Sequence, residues 1–157
     1  MPESMPDPTT ERIRPARPGE AAALTALSIR SAASWNDPND PGDTEDLEIS
    51  EETLARERHY VLVDGSDIPL GLYSLHGSGP ELTLSHLFLE PEVRGTGRGK
   101  LLWLHMLETA RAGGAERIVW GSDPNAAPFY RAMGATHTGE VRDVFPGWRL
   151  QLFRYDL

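Results

Sequence analysis

Seven consecutive positions, Arg94 to Lys100, hold three glycines and three cations, in a chain whose formal net charge is −9. The stretch reads Val93-Arg-Gly-Thr-Gly-Arg-Gly-Lys-Leu-Leu102. Glycines free the backbone dihedrals, so that consecutive N–H groups can turn toward one anion. A following helix would add its first amides, which lack intrahelical partners and sit at the positive end of the dipole. Arg94, Arg98 and Lys100 supply charge. The chemistry suggested is phosphate binding; the plain alternative is a tight turn that needs glycine. Two familiar phosphate loops do not fit. A Walker loop needs Gly-Lys followed by Ser or Thr, and here Leu101 follows Lys100. A dinucleotide fingerprint needs Gly-x-Gly-x-x-Gly, and these glycines fall as Gly-x-Gly-x-Gly, well beyond the first strand.

Other chemistries find less support. Cysteine is absent, which removes disulfides, thiolate metal sites and a thiol nucleophile. His59, His76, His105 and His137 are scattered, without ligand-spaced pairs beside a carboxylate, so no metal is expected. Gly77-Ser78-Gly79 lacks the Gly-x-Ser-x-Gly pattern of a nucleophile elbow.

The loop must be positioned by elements readable from periodicity. Residues 12–17 read as a first strand and 19–34 as an alanine- and leucine-rich helix. Residues 36–48, rich in acids and prolines, form no regular element. Ser50, followed by Glu52 and Thr53, starts a short helix ending near Arg58. Residues 59–64 and 70–77 form a hairpin, and 81–90 a central strand. A helix over 99–114 ends at Gly113-Gly114. Residues 117–121 are a buried strand. Residues 124–134 form a helix with Asn125 as N-cap and Gly134 as its close. Strands at 136–141 and 148–157 complete the order β-α-α-β-β-β-α-β-α-β-β, a mixed α/β domain.

With 157 residues the chain is long enough for one core over residues 12–157. Residues 1–11, polar and proline-rich, read as a disordered tail. They lack the apolar centre of a secretory signal, and no apolar run has the length of a membrane span. The acidic balance argues against nucleic acid and suits a cationic acceptor. The absence of cysteine fits a reducing cytoplasm.

Arg94-Gly-Thr-Gly97-Arg-Gly99 matches Arg/Gln-x-x-Gly-x-Gly/Ala, and residues 12–157 as a whole resemble the GNAT superfamily of acyl-CoA-dependent N-acyltransferases. The strand Leu84–Pro91 is similar to the family's fourth strand. Asn125-Ala-Ala-Pro-Phe129-Tyr130, continuing to Gly134-Ala135, is similar to its second motif. The resemblance implies a GNAT fold whose fourth and fifth strands splay apart, with acetyl-CoA as co-substrate in the gap. The backbone of Arg94, Gly95, Thr96, Gly97, Arg98, Gly99 and Lys100 would hold the pyrophosphate. Leu87, Phe88 and Leu89 would run beside the pantetheine arm, with Asn125, Phe129 and Tyr130 on its other side. Phe129 also reads as a core aromatic.

Acetyl transfer to a primary amine needs a base, an oxyanion donor and a proton for the thiolate. On the resemblance, Tyr130 is the general acid. His86 and Glu81, on the fourth strand, are the base candidates, beside a relay of water and backbone. Strand alternation puts these two on opposite faces. A closer likeness joins Ile29-Arg30-Ser31-Ala-Ala-Ser-Trp35 to bacterial members carrying Leu-Arg-Ser-Lys-Ala-His-Trp. This makes Arg30 and Trp35 acceptor-site candidates, and Ala32 in place of Lys suggests a different acceptor. That acceptor is expected to be a small-molecule amine, reached by direct transfer in a ternary complex. A homodimer is a family-based expectation. The rival reading is an acyl-CoA-binding domain without turnover.

Overall fold

The computed structural model describes residues 11–33, 48–122, 126–142 and 149–157. The elements are β1 (Arg12–Pro15), α1 (Ala21–Ala33), α2 (Glu51–Arg56), β2 (Arg58–Val63), β3 (Pro69–His76), β4 (Glu81–Leu89), α3 (Arg98–Ala112), β5 (Arg117–Ser122), α4 (Ala127–Ala132), β6 (Thr136–Arg142) and β7 (Arg149–Asp156). Seven strands hydrogen-bond in the order β1-β2-β3-β4-β5-β7-β6. The chain divides into two compact units. One runs to Ser74 and includes His86–Leu102; the other comprises Leu75–Ser85 and Trp103–Leu157.

In the first unit, β1 and β2 pair antiparallel from Arg12↔Val63 to Pro15↔Tyr60. The β2–β3 turn is closed by the Asp64 amide bonding the Ile68 carbonyl at 3.0 Å. Asp67 takes a positive φ of 66° there. Its carboxylate accepts from Arg12, Arg14 and Arg17, which ties β1 to the turn. Ala21, Leu24 and Leu27 fall on one stripe of α1 and are buried. They pack with Leu54 of α2, Val61 and Val63 of β2 and Leu72 of β3, and Phe88 of β4 packs against this core. Ser50 caps α2, its Oγ accepting the Thr53 amide at 3.0 Å. Glu51, in the first turn of α2, accepts the amides of Gly19 and Ala21 at 2.8 and 3.1 Å. It thereby gives the start of α1 the anion that a helix N-terminus favours.

In the second unit, β4 runs parallel to β5 over three pairs, Glu81↔Arg117 to Thr83↔Val119. The ladder stops there, although β4 continues to Leu89 and β5 to Ser122. This is the expected splay. β5 then pairs antiparallel with β7, and β7 with β6, with a register shift between His137 and Gly139. Trp103, Met106, Ile118, Trp120 and Phe153 are buried in the core here. Gly114 and Gly134 take φ of 84° and 92° after α3 and α4, the left-handed closure that glycine allows.

Two sequence expectations shift. α4 begins at Ala127, with Ala126 at the cap position and no side-chain cap bond. Asn125, expected as cap, lies outside the described residues. Between β4 and the glycine loop the chain makes a 3₁₀ turn, Pro91–Val93, which periodicity does not reveal. It is too short to generate a pattern, and Pro91 sits in its first turn, where its missing N–H costs nothing.

Candidate functional site

The glycine loop is built by local bonds. The Glu90 amide bonds the Leu70 carbonyl of β3 at 2.8 Å, which fixes where β4 ends. The Val93 amide returns to Glu90 at 3.0 Å, and Thr96 Oγ1 donates to the Val93 carbonyl. Gly95 and Gly97 take φ of 72° and 86°. Nothing lies within 4 Å of the position a Cβ would occupy at either residue. Glycine is therefore required here by backbone conformation, not by crowding. Gly99 differs, because it lies inside α3. The first helical bond runs from the Leu101 amide to the Gly97 carbonyl at 3.2 Å. The helical amides of residues 98–100 thus precede the first i→i−4 bond and lie at the positive end of the helix dipole, where an anion is favoured.

The cations are arranged less simply than their spacing suggests. Arg94 donates to the carbonyl of Ser31 in α1 and reaches its Oγ at 3.3 Å. Burial lowers the Arg94 pKa from its ordinary value. Arg98 is held by both oxygens of Glu11, at 2.5–2.9 Å. Lys100 is exposed. Arg30 forms a two-bond pair with Glu90 at 2.9 and 2.6 Å, which raises its pKa. Glu11, Ser31 and Glu90 carried no signal in the sequence, because their partners lie 60–87 residues away.

On β4, Leu87, Phe88 and Leu89 are half-buried. Gly71 of β3 makes room for them. A Cβ there would stand 2.6 Å from Leu89 Cδ2 and 2.9 Å from the Phe88 carbonyl oxygen. Ser74 Oγ and His86 Nδ1 share a hydrogen bond of 2.9 Å. His86 Nε2 is buried without a partner. Burial, and secondarily the neighbouring His59, push the His86 pKa down to about 4. Glu81 is exposed and pairs with Arg117 at 2.9 Å.

In the second unit Tyr130 is 7% exposed, and burial raises its pKa. Its ring lies 5.1 Å from Trp120, 5.3 Å from Phe129, 5.7 Å from Phe153 and 6.1 Å from Trp103. Trp103 and Trp120 are core, as their types suggest. Phe129, beside Tyr130, is half-buried. Trp35 and the acidic segment up to residue 47 lie outside the described residues. Among the described residues no cluster of three or more His, Asp or Glu is placed to hold a metal. No helix among them is long and apolar enough to cross a membrane.

The strand order, with a glycine turn leading from β4 into α3, is the architecture that the sequence resemblance implies. The chain belongs to the acetyltransferase (GNAT) domain family, whose profile matches residues 43–155. It is 34% identical over 99 residues to the peptidyl-lysine N-acetyltransferase YjaB of Salmonella typhimurium. The alignment covers 62% of this chain and 64% of that protein, so less than two thirds of the relative is spanned. Two solved structures share the fold. One is the PaiA N-acetyltransferase of Thermoplasma acidophilum in complex with coenzyme A, with TM-score 0.78 and 15% identity over 95% of this chain and 100% of that one. The other is an IAA acetyltransferase of Bacillus cereus, with TM-score 0.71 and 19% identity over 94% and 100%.

Proposed function

We propose that the chain transfers an acetyl group from acetyl-CoA to a primary amine by direct attack. The observation that carries this reading is the turn at Gly95 and Gly97. It opens α3 after β4 and the 3₁₀ turn, with helical amides left over for a pyrophosphate. Lys100 adds an exposed cation. The backbone of Leu87 and Leu89 runs beyond the end of the β4–β5 ladder, as pairing with a pantetheine arm requires. Asn125 and Phe129 are assigned to the arm's other side. Acetyl-CoA supplies an activated thioester.

The amine must lose a proton before it attacks, and a free alkylammonium has a pKa near ~10. His86, held neutral by burial, offers a lone pair but is a weak base. The proton therefore moves on to water. Glu81 is exposed and engaged by Arg117, which confines it to action through water. Tyr130 stays protonated across the working pH range, because burial raises its pKa. It is assigned to donate to the departing sulfur. A backbone N–H of β4 is the oxyanion donor.

We favour a small-molecule amine as acceptor, with Trp35 and Arg30 near it. The similarity to a peptidyl-lysine N-acetyltransferase supports a second reading, a lysine side chain, with the same reacting group. The cysteine-free composition is our reason for a cytoplasmic setting. Association as a homodimer through the last strands is the family-based expectation. Calorimetry with acetyl-CoA, followed by thiol release across free amines and a lysine peptide, tests the function. Binding with release is expected. Tight binding without release from any acceptor would make the chain a non-catalytic acyl-CoA binder. Binding of ATP or NAD instead of acetyl-CoA would overturn the reading.

A further inference from the structure

His59, on β2, is 4% exposed and belongs to no step described above. Its ring centroid lies 6.2 Å from that of His86, with the planes tilted by 34°. Its Nδ1 is 3.1 Å from the Glu57 carbonyl. A carbonyl only accepts, so neutral His59 carries its proton on Nδ1 and a bare lone pair on Nε2. That Nε2 is buried without a protein partner, as is Nε2 of His86. Two such atoms on neighbouring imidazoles are a costly arrangement for a core that needs only packing. Across the ring from its open nitrogen, His86 is anchored by Ser74 of β3, which is fully buried. Phe88 of the same strand lies 5.9 Å from the His86 ring.

We propose that His59 is a positioning residue for His86. The row His59–Ser74–His86, drawn from three strands, acts as one unit that takes up at most one proton beyond its neutral state. His59 thereby sets the pH at which His86 presents a free Nε2 to the acceptor amine. The proposal rests on the acetyl-transfer reading, in which His86 faces that amine. The step is a simple exchange: an N–H bond of the ammonium breaks, an Nε2–H bond of His86 forms, and the proton leaves to water before the next turnover. The charged groups that bear on His86 are His59, which opposes a second positive charge, and Glu57 at the end of α2, which favours one.

The test is the pH profile of kcat/KM for the full chain, with the His86 imidazole followed in parallel by NMR. His59→Asn keeps a donor for the Glu57 carbonyl and removes the second imidazole. It is expected to move the acid limb, and the His86 midpoint, upward by about one pH unit. Glu57→Gln, on a side chain at the end of a short helix, is expected to move both downward. An unmoved profile in the His59 variant, with transfer intact, would overturn the proposal, whatever Glu57→Gln does. If His59→Asn fails to fold, His59→Gln, which also removes the second imidazole, is measured in its place with the same two readouts. Absence of transfer by the wild type would sink the function, while the NMR midpoints would still report whether the pair is coupled.

Discussion

The guanidinium of Arg94 donates to the backbone carbonyl of Ser31, in the last part of α1. The final carbonyls of a helix lack intrahelical donors, and a cation there also meets the negative end of the dipole. The pair Arg30–Glu90 makes a second strap between the same helix and the same loop. The first residue of the glycine signature thus holds the loop to α1 with its side chain. Arg94→Ala should cost about 2 kcal/mol of stability, the loss of a charged, half-buried hydrogen bond. It should also weaken acetyl-CoA binding by roughly tenfold, as the loop loses its anchor. Thermal melts and calorimetry check this. Full stability with lost affinity would mean that the side chain meets phosphate directly.

Glu11 grips Arg98, the first residue of α3, through both carboxylate oxygens. An anion is already placed against a cation that the pyrophosphate would favour. Glu11→Gln should therefore raise CoA affinity several-fold and steepen its salt dependence, because a freed guanidinium joins the phosphate site. Calorimetry at two ionic strengths measures both. Weaker binding would show that Glu11 holds Arg98 in a useful place.

Gly71 faces a barrier that only glycine avoids. Its φ is not in the left-handed region, so the constraint is space. A methyl group would meet a Leu89 methyl, which can swing, and the Phe88 carbonyl, which cannot move without shifting β4. Gly71→Ala should cost roughly 1–3 kcal/mol by overpacking. For a chain of this length that is a fall of roughly 3–10 °C in melting temperature. An unchanged melt would mean that β4 yields there at no cost.

What could be read in the sequence was local. Gly95 and Gly97 announce a turn because only glycine adopts those dihedrals cheaply, and Ser50 announces a helix because its hydroxyl replaces a missing acceptor. The parting of β4 from β5 followed from resemblance, and the paired residues bear it out. The rest depends on which distant side chains meet. His59 looked like one of several scattered histidines, yet its strand brings its ring beside that of His86, 27 positions on. Nothing local to Arg98 signals that Glu11, 87 residues earlier, pairs with it. No periodicity encodes that β7 inserts between β5 and β6.

Stability should depend on pH through His86. Its folded pKa is depressed to about 4 from an ordinary 6.5. Between these values the unfolded chain binds a proton that the folded chain refuses. Stability therefore rises with pH across that window. It is complete above pH 6.5 and is lost progressively as pH falls toward 4. At about 1.4 kcal/mol per pH unit, the loss amounts to about 3 kcal/mol. Urea titrations at several pH values should show it, and His86→Gln should flatten the slope. A slope unchanged in that variant would assign the effect to other groups.

Tyr130 separates a chemical role from a packing one. Its ring is enclosed by Trp103, Trp120, Phe129 and Phe153, so Tyr130→Phe keeps every aromatic contact and deletes only the hydroxyl. Burial holds the phenol protonated, so in the proposed acid role it keeps a proton to donate throughout the neutral range. Its loss should lower kcat by about 10²-fold, within the range for a positioned acid. The CoA dissociation constant should change little, since the hydroxyl acts on a charge that develops only as the C–S bond breaks. Single-turnover transfer, with binding measured separately by calorimetry, distinguishes the two. If binding falls and turnover of the bound complex does not, Tyr130 is a wall of the cofactor site and the thiolate takes its proton from water.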